Sequence, residues 1–413
     1  MGVPSEVMRF GAALSEVPGA ARAGTEAARE AAAQLAATPS LAVVFASPHH
    51  AEEAPGLLAA VRETAGVERA IGCVAEAVVG GRREVEDGPA VAVWLAALPG
   101  EVRTFSLGFA RTSEGGVLHG HRLEPGPRAY LLLADPYTFP ADLFLRYVDE
   151  RLPGTVVMGG MASGGSGPGE TLLFLDGEVR REGAVGVALE VGVRPLVSQG
   201  CRPVGSPYTV TAARGNLVLE LGGEPPLRRL TELLERLPPE DAELVRRGVQ
   251  VGLVIDEYVE DPGPGDHLIR GVLGFDPDSG AMAVGEQVEV GRTLRFHVRD
   301  ARAADRELRE ALERERERLG RAPAGALLFT CNGRGTRLFG VPDHDAGLVS
   351  DVLGGPPLAG SSCAGEIGPV GGRNFLHGFT ASLALFAEED PAPAGASGPA
   401  QLGAALPRRG PGR

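Results

Sequence analysis

The chain contains no lysine. All 40 of its cationic residues are arginine, set against 54 acids, for a formal net charge of −14. The missing amine excludes a Schiff-base lysine and the phosphate-binding lysine of a P-loop. The acidic balance speaks against a nucleic-acid partner, which needs a basic footprint. Cysteine is scarce: Cys73, Cys201, Cys331 and Cys363 lie far apart with no CxxC spacing, so a reduced, cytoplasmic protein without a structural metal is expected. Aromatics make up only 5%, so the cores must rest on valine, leucine and alanine. No apolar run approaches the length of a membrane span, and the N-terminus carries acids where a signal peptide would carry its apolar centre, so no membrane partner is expected.

What is abundant is apolar residue (43%), glycine (60) and proline (33), which across 413 residues implies more than one domain, short elements and many turns. The order of patterns predicts an α/β fold of two tandem mixed-sheet domains with packed helices and β-hairpin excursions. The divisions expected are a helical lead-in over 1–40, domains over 41–222 and 223–387, and a tail over 388–413. That tail is rich in proline, glycine and alanine, lacks periodicity, and is expected to be disordered. A helix is expected over 25–36 with Thr25 as its cap. Hairpins are expected to turn at Asp176-Gly177, around Ala213–Asn216 and at Asp276–Gly280. The arginine- and glutamate-rich helix over 303–319 reads as a solvated face carrying i,i+4 pairs.

Three segments share the order strand, helix, glycine-rich exit, strand: 41–98, 129–191 and 326–386. Aligned on their exits, Gly72, Gly160 and Gly360 correspond, as do Ala77, Gly165 and Gly365 five residues on.

The most informative stretch is LLFTCNGRGTR, from Leu327 to Arg337: a buried strand running into a polar, glycine-punctuated loop. About twenty residues later PLAGSSCAGEIGPVGG, Pro357 to Gly372, gives a second strand with a small-residue exit. Strands that end in small hydrogen-bonding residues open their backbone to a ligand at a sheet edge. Arg334, between two glycines, is placed to fork a carboxylate, and Asn332 to add an amide. Ser361, Ser362 and Gly365 let a ligand approach the backbone, and Glu366 can take an ammonium. The bland alternatives are a solvated loop arginine, asparagine turn chemistry, and glycines that serve packing.

Cys331 or Cys363 with His377 would make a cysteine nucleophile, but no residue is placed by spacing to orient the histidine. His119-x-His121 would face one side of a strand as a metal pair, yet Gly115-Gly116 suggests a loop there. No metal and no cofactor is expected. GGMASGGSGPG, Gly159–Gly169, lacks the lysine of a phosphate loop.

FTCNGRG followed by AGSSCAGEIGP resembles the C-terminal half of the FIST domain, and LAVVFASP (Leu41–Pro48), the IGC at Ile71–Cys73 and the GCRPVG–YTVT run from Gly200 to Thr211 resemble its N-terminal half. The resemblance implies a sensory, signal-transducing protein that binds a small ligand, with amino acids the suggested class, and no catalytic residues. The two strand exits place such a ligand at Asn332, Arg334, Gly335, Ser361, Ser362, Gly365 and Glu366, and the signal is left to an unidentified signalling protein. A cysteine-dependent hydrolase and a protein-interaction scaffold are the competing classes.

Overall fold

The computed structural model describes residues 7–112, 115–259, 262–263 and 265–387; the expectation for 388–413 lies outside the described residues. Each of the three sequence repeats folds the same way. A first strand leads through a helix to a second, parallel strand, and a third returns antiparallel on the other side of the first. The first strands are Leu41–Ala46, Ala129–Ala134 and Gly325–Cys331, and the second strands Ala70–Val74, Val156–Ala162 and Leu358–Val370. The third strands are Val91–Ala97, Ala184–Leu189 and Thr380–Phe386. The strand order third-first-second is common to all three.

The register corrects the alignment by one residue in the middle copy. Gly72 pairs with Val44, Gly360 with Leu328, and it is Gly159, not Gly160, that pairs with the equivalent Leu132. At each of these three glycines a Cβ would run into the carbonyl oxygen of its partner on the first strand. Gly360→Ala is therefore expected to cost about 1–3 kcal/mol or more by forcing two backbones apart. Gly347→Ala, in the helix His344–Leu353 with nothing within 4 Å of the new methyl, is expected to be neutral or stabilising by up to about 1 kcal/mol. Urea denaturation of the pair checks this, and equal effects would count against close strand approach as the reason for the repeated glycine.

The first repeat lies in a six-stranded sheet, the second and third in a twelve-stranded one where their second strands run antiparallel to each other. The two sheets pack face to face. Phe10, Phe45 and Trp94 from the smaller meet Phe329 and Phe386 from the larger, with Phe10–Trp94 ring centroids 4.8 Å apart and Trp94–Phe386 5.1 Å. Large aromatic rings thus fill part of the space where the two sheets must interdigitate. Helices Ala20–Leu35 and Ala54–Ala65 cover the outer face of the small sheet. Ala141–Arg151, Ala301–Leu319 and His344–Leu353 cover that of the large one, which completes four layers. Both faces of the inner strands are covered, which is why Leu41–Ala46 reads as an unbroken apolar run.

A closed six-stranded antiparallel barrel, built within residues 201–299, interrupts the larger sheet between strands Arg194–Gln199 and Gly325–Cys331. Val210, Val218, Val251, Leu294 and Phe296 fill it, and Leu230, Leu233 and Val245 of helices Pro226–Leu234 and Pro239–Arg247 pack on it. Its hairpins turn where expected, but closure depends on pairing Cys201–Arg214 with Thr293–Arg299, a contact with no local signal. Barrel and large sheet each draw strands from both sides of residue 222.

Several local expectations need correction. A strand over Arg9–Ser15 precedes the first helix and pairs with Val91–Ala97. That helix begins at Ala20 after Gly19, so Thr25 lies inside it and caps nothing. The helix Pro239–Arg247 was not expected, and Gly115–Gly120 is a strand rather than a loop. The cap of Ala301–Leu319 is Asp300, which accepts from the backbone N–H groups of Arg302 and Ala303. Among the described residues no helix is long and apolar enough to cross a membrane.

Candidate functional site

The exits of the three repeats converge on one place. Ser163, from the second, accepts a hydrogen bond from the Glu76 N–H of the first (2.9 Å) and donates to the Ser362 carbonyl of the third (2.8 Å). Ser362 Oγ accepts from the Ala77 N–H at 2.8 Å, and the Ser362 N–H bonds the Ala77 carbonyl at 3.0 Å. From the first exit the hairpin Val78–Gly80/Arg83–Val85 crosses to pair with Leu358–Val370, and it carries Glu84 and Glu86 to the same spot.

Beside this junction the strand Gly325–Cys331 ends in a turn. The Asn332 N–H donates to the Cys363 carbonyl (2.9 Å) and the Arg334 N–H to that of Cys331 (2.8 Å). Gly335 sits at φ +58°, a left-handed conformation that favours glycine, and opens the short helix Thr336–Phe339. Glu86 holds this helical turn by accepting from the Thr336 N–H at 2.8 Å and from its hydroxyl.

Arg334 points inward rather than to solvent, with 2% of its surface exposed. Its Nε and Nη2 fork the carboxylate of Asp345 at 2.6 and 2.9 Å, and its guanidinium lies over the Phe339 ring, 5.2 Å from the centroid. Phe339 in turn stacks on His344, whose Nδ1 and Nε2 reach Asp345 and Asp305 at 3.0 and 3.1 Å. Against burial, which alone would raise it, the guanidinium and these hydrogen bonds hold the Asp345 carboxyl at about 2. The fork expected for a ligand is therefore taken by an internal carboxylate. Only Nη1 lacks a hydrogen-bond partner, and it faces Gly200.

A small cleft remains, about 40 Å³ of free volume, lined by Glu76, Glu84, Glu86, Asn332, Arg334 and Arg337, with Thr330, Gly335 and Ser362 among the rest of its wall. Burial and then Asp345 push the Glu84 carboxyl up to about 7, although it accepts the Ala346 N–H at 2.6 Å. Arg337 stands at the mouth, ion-paired with Glu76 and donating to the Asn332 carbonyl at 3.0 Å.

Of the residues singled out in the sequence, Asn332, Arg334, Gly335 and Ser362 meet at this cleft, while Ser361, Gly365 and Glu366 do not line it. Ser361 is buried between the sheets near Cys363, and Gly365 packs on Leu376 and Met161. Glu366 is buried and accepts from the Thr380 N–H (3.0 Å) and hydroxyl (2.8 Å) through one oxygen, the other having no partner; burial pushes it up to about 8. Glu76, Glu84, Glu86, Ser163 and Asp345 escaped sequence reading. The one available signal was the repeat itself, since three equivalent exits invite a common meeting point.

The cysteine–histidine pairing finds no geometric support. His377 Nε2 bonds the Gly368 carbonyl at 2.9 Å, and burial pulls its imidazole down to about 4. Burial, then Glu366, pushes the Cys331 thiol up to about 11, while Cys363 lies well above its ordinary value. His119 lies in the edge strand Gly115–Gly120 and His121 just past its end, stacking on Phe105 at 4.3 Å. Among the described residues no cluster of three or more metal-ligating side chains forms.

The architecture is thus that of a repeat-built α/β protein with an inserted barrel and a polar cleft where the repeats' exits join. The chain matches the FIST N domain over residues 40–224 and the FIST C domain over residues 226–369, and it belongs to the FIST family, whose domains are associated with sensory signal transduction. It is similar to an uncharacterized protein of Mycobacterium tuberculosis (strain H37Rv), 52% identical over 385 residues that cover 92% of this chain and 100% of the relative. It is also similar to an uncharacterized protein of Mycobacterium bovis, 51% identical over 387 residues with the same coverage.

Proposed function

We propose that this chain is a cytoplasmic sensory protein that binds a small molecule bearing a protonated amine, an amino acid foremost, at the cleft between Glu84, Glu86 and Asn332. The observation that carries this reading is the composition of the cleft. Three carboxylates line it, and the arginine fork that could have satisfied one of them is spent on Asp345. An ammonium supplies the missing donors, and charge-assisted bonds of this kind contribute about 1.5–3 kcal/mol each. The free volume of about 40 Å³ admits the ammonium end only. The carboxylate of an amino acid would then rest at the mouth on Arg337, whose acidic partner there, Glu76, is itself part-exposed. Arg334, Gly335 and Ser362 shape the wall. Binding passes the signal to a separate protein and involves no bond-making by this chain, in keeping with thiols held in their protonated form.

Titration calorimetry of the full chain against the twenty amino acids tests this, followed by the amine and the keto acid that correspond to the best binder. The amine is expected to retain part of the affinity and the keto acid none. Arg337→Ala is expected to weaken amino-acid binding roughly ten- to a hundredfold. Absence of binding by all twenty, or equal binding of the keto acid, would end the proposal.

A further inference from the structure

A second cleft lies on the seam between the barrel and the twelve-stranded sheet, with about 200 Å³ of free volume. Its walls come from distant parts of the chain: Arg146 from helix Ala141–Arg151, Arg270 from barrel strand His267–Phe275, Arg292 from just before barrel strand Thr293–Arg299, and Arg373 from strand Arg373–His377. In a chain whose formal net charge is −14, four guanidiniums at one cleft must be brought there against the general composition. The carboxylates lining the cleft are Asp142 and Glu286.

The guanidiniums are only partly satisfied by the protein. The side chain of Arg270 is 10% exposed; Nε bonds Glu286 at 2.6 Å and Nη1 its neighbour's Ile269 carbonyl at 3.0 Å, which leaves Nη2 for the cleft. Arg292 bonds Glu257 through Nε at 3.0 Å and the Val254 carbonyl through Nη2 at 2.5 Å, which leaves Nη1. Arg373 reaches Asp149 only at 4.0 Å and lies over the Phe375 ring, 5.6 Å from its centroid. Arg146 makes no hydrogen bond or ion pair among the described residues. The floor is apolar, from Leu145, Leu253, Leu268 and Phe375.

Guanidiniums lining one cleft together with apolar side chains suit a compact dianion with several acceptor oxygens, joined to a flat or hydrocarbon portion. We propose that this seam binds a small organic phosphomonoester, its phosphoryl group held by Arg146, Arg270 and Arg373 and its organic portion laid on Phe375. The site is separate from the amine cleft and does not rest on that proposal. Because Arg270 and Arg292 belong to the barrel and Arg146 and Arg373 to the sandwich, a bound phosphomonoester ties the two together.

Phenyl phosphate and inorganic phosphate, titrated into the full chain by calorimetry at low ionic strength, supply the test. Phenyl phosphate is expected to bind, and more tightly than inorganic phosphate by at least tenfold. Arg146→Ala/Arg373→Ala removes two exposed side chains and is expected to weaken phenyl phosphate at least tenfold, while its melting temperature without ligand stays within a few degrees of wild type. No binding of either probe at millimolar concentration, or binding unchanged in the double variant, would overturn the site. Equal affinity for the two probes would overturn the organic portion of the assignment and leave a site for inorganic phosphate alone.

Discussion

Arg334→Ala is expected to lower the stability of the folded chain by about 3–5 kcal/mol at pH 7, the cost of leaving one member of a buried ion pair without its partner. Arg334 and Asp345 are both almost wholly inaccessible, and their two hydrogen bonds, at 2.6 and 2.9 Å, are the only ones the guanidinium makes among the described residues. Removing the arginine leaves the buried Asp345 carboxylate, beside Glu84, without its countercharge. Asp345→Asn should cost less, because the amide oxygen still accepts one of the arginine's bonds and Glu84 takes up part of the charge. A volume-matched apolar pair, Arg334→Met with Asp345→Leu, should lose less than Arg334→Ala alone, since desolvation of both charges is then avoided. The pH dependence has a definite sign. The folded Asp345 carboxyl is held at about 2, below its unfolded value, so the pair's contribution is present above roughly pH 4 and is lost as the pH falls towards 2. In Arg334→Ala the carboxyl takes up a proton at higher pH, so the deficit against wild type should shrink between pH 5 and pH 3. Urea denaturation at these pH values measures it, and a deficit below 1 kcal/mol at pH 7 would show that the pair is not what holds the loop. The same argument explains why Arg337, and not Arg334, is the residue to alter when ligand binding is measured: loss of binding in Arg334→Ala would report a collapsed wall.

Features written in neighbouring residues were legible in the sequence. Leu327–Phe329 had to be a buried strand, Asn332–Gly335 a turn, and the hairpins at Asp176-Gly177 and Asp276–Gly280 were announced by turn chemistry. The order of the three repeats was legible too, but not their register, because Gly159 and Gly160 stand side by side and a shift of one residue exchanges the faces of a strand. What could not be read was whatever depends on long-range pairing. Arg334 was recognised as a fork, while its partner stands eleven residues on in a different element, and the choice between Asp345 and a ligand is made by tertiary packing. Glu84 and Glu86 carried no signal in the sequence, and only the pairing of the hairpin Val78–Gly80/Arg83–Val85 with Leu358–Val370 brings them to the cleft. Glu366 was expected at the ligand; a bulge between Met161 and Ala162, where Gly365 and Cys363 are their partners, shifts the strand's facing before Glu366 is reached.

The protein is expected to lose stability as the pH rises from 6.5 to 8, a range in which most proteins change little. Burial raises the carboxyls of Glu84 and Glu307 to about 7 and of Glu366 to about 8. For an acid whose folded value lies above its unfolded one, the folded state binds the extra proton. The stability is then complete below the unfolded value, near pH 4.3, and is lost as the pH climbs through the folded one. Histidines act in the opposite sense but lower down. Burial pulls His297 to about 3 and His377 to about 4, so their contribution grows up to about pH 6.5 and then levels off. Below pH 6.5 the two histidines offset most of the effect of the three carboxyls, and above it only the carboxyls remain. About one proton separates the states there, which gives a fall on the order of 2 kcal/mol between pH 6.5 and 8. Past pH 8.5 the buried thiols add to the decline, since Cys73 and Cys201 are pushed up to about 12 by burial. Glu366→Gln isolates one term. The amide oxygen keeps the bonds from the Thr380 N–H and hydroxyl, and the substitution removes the proton uptake. The variant should match wild type near pH 4 and gain on it by about 1 kcal/mol per pH unit up to pH 8. Denaturation midpoints across that range decide the matter: parallel curves for the two proteins would mean that Glu366 is ionised in the folded state and that Arg334 Nη1, not a proton, neutralises it.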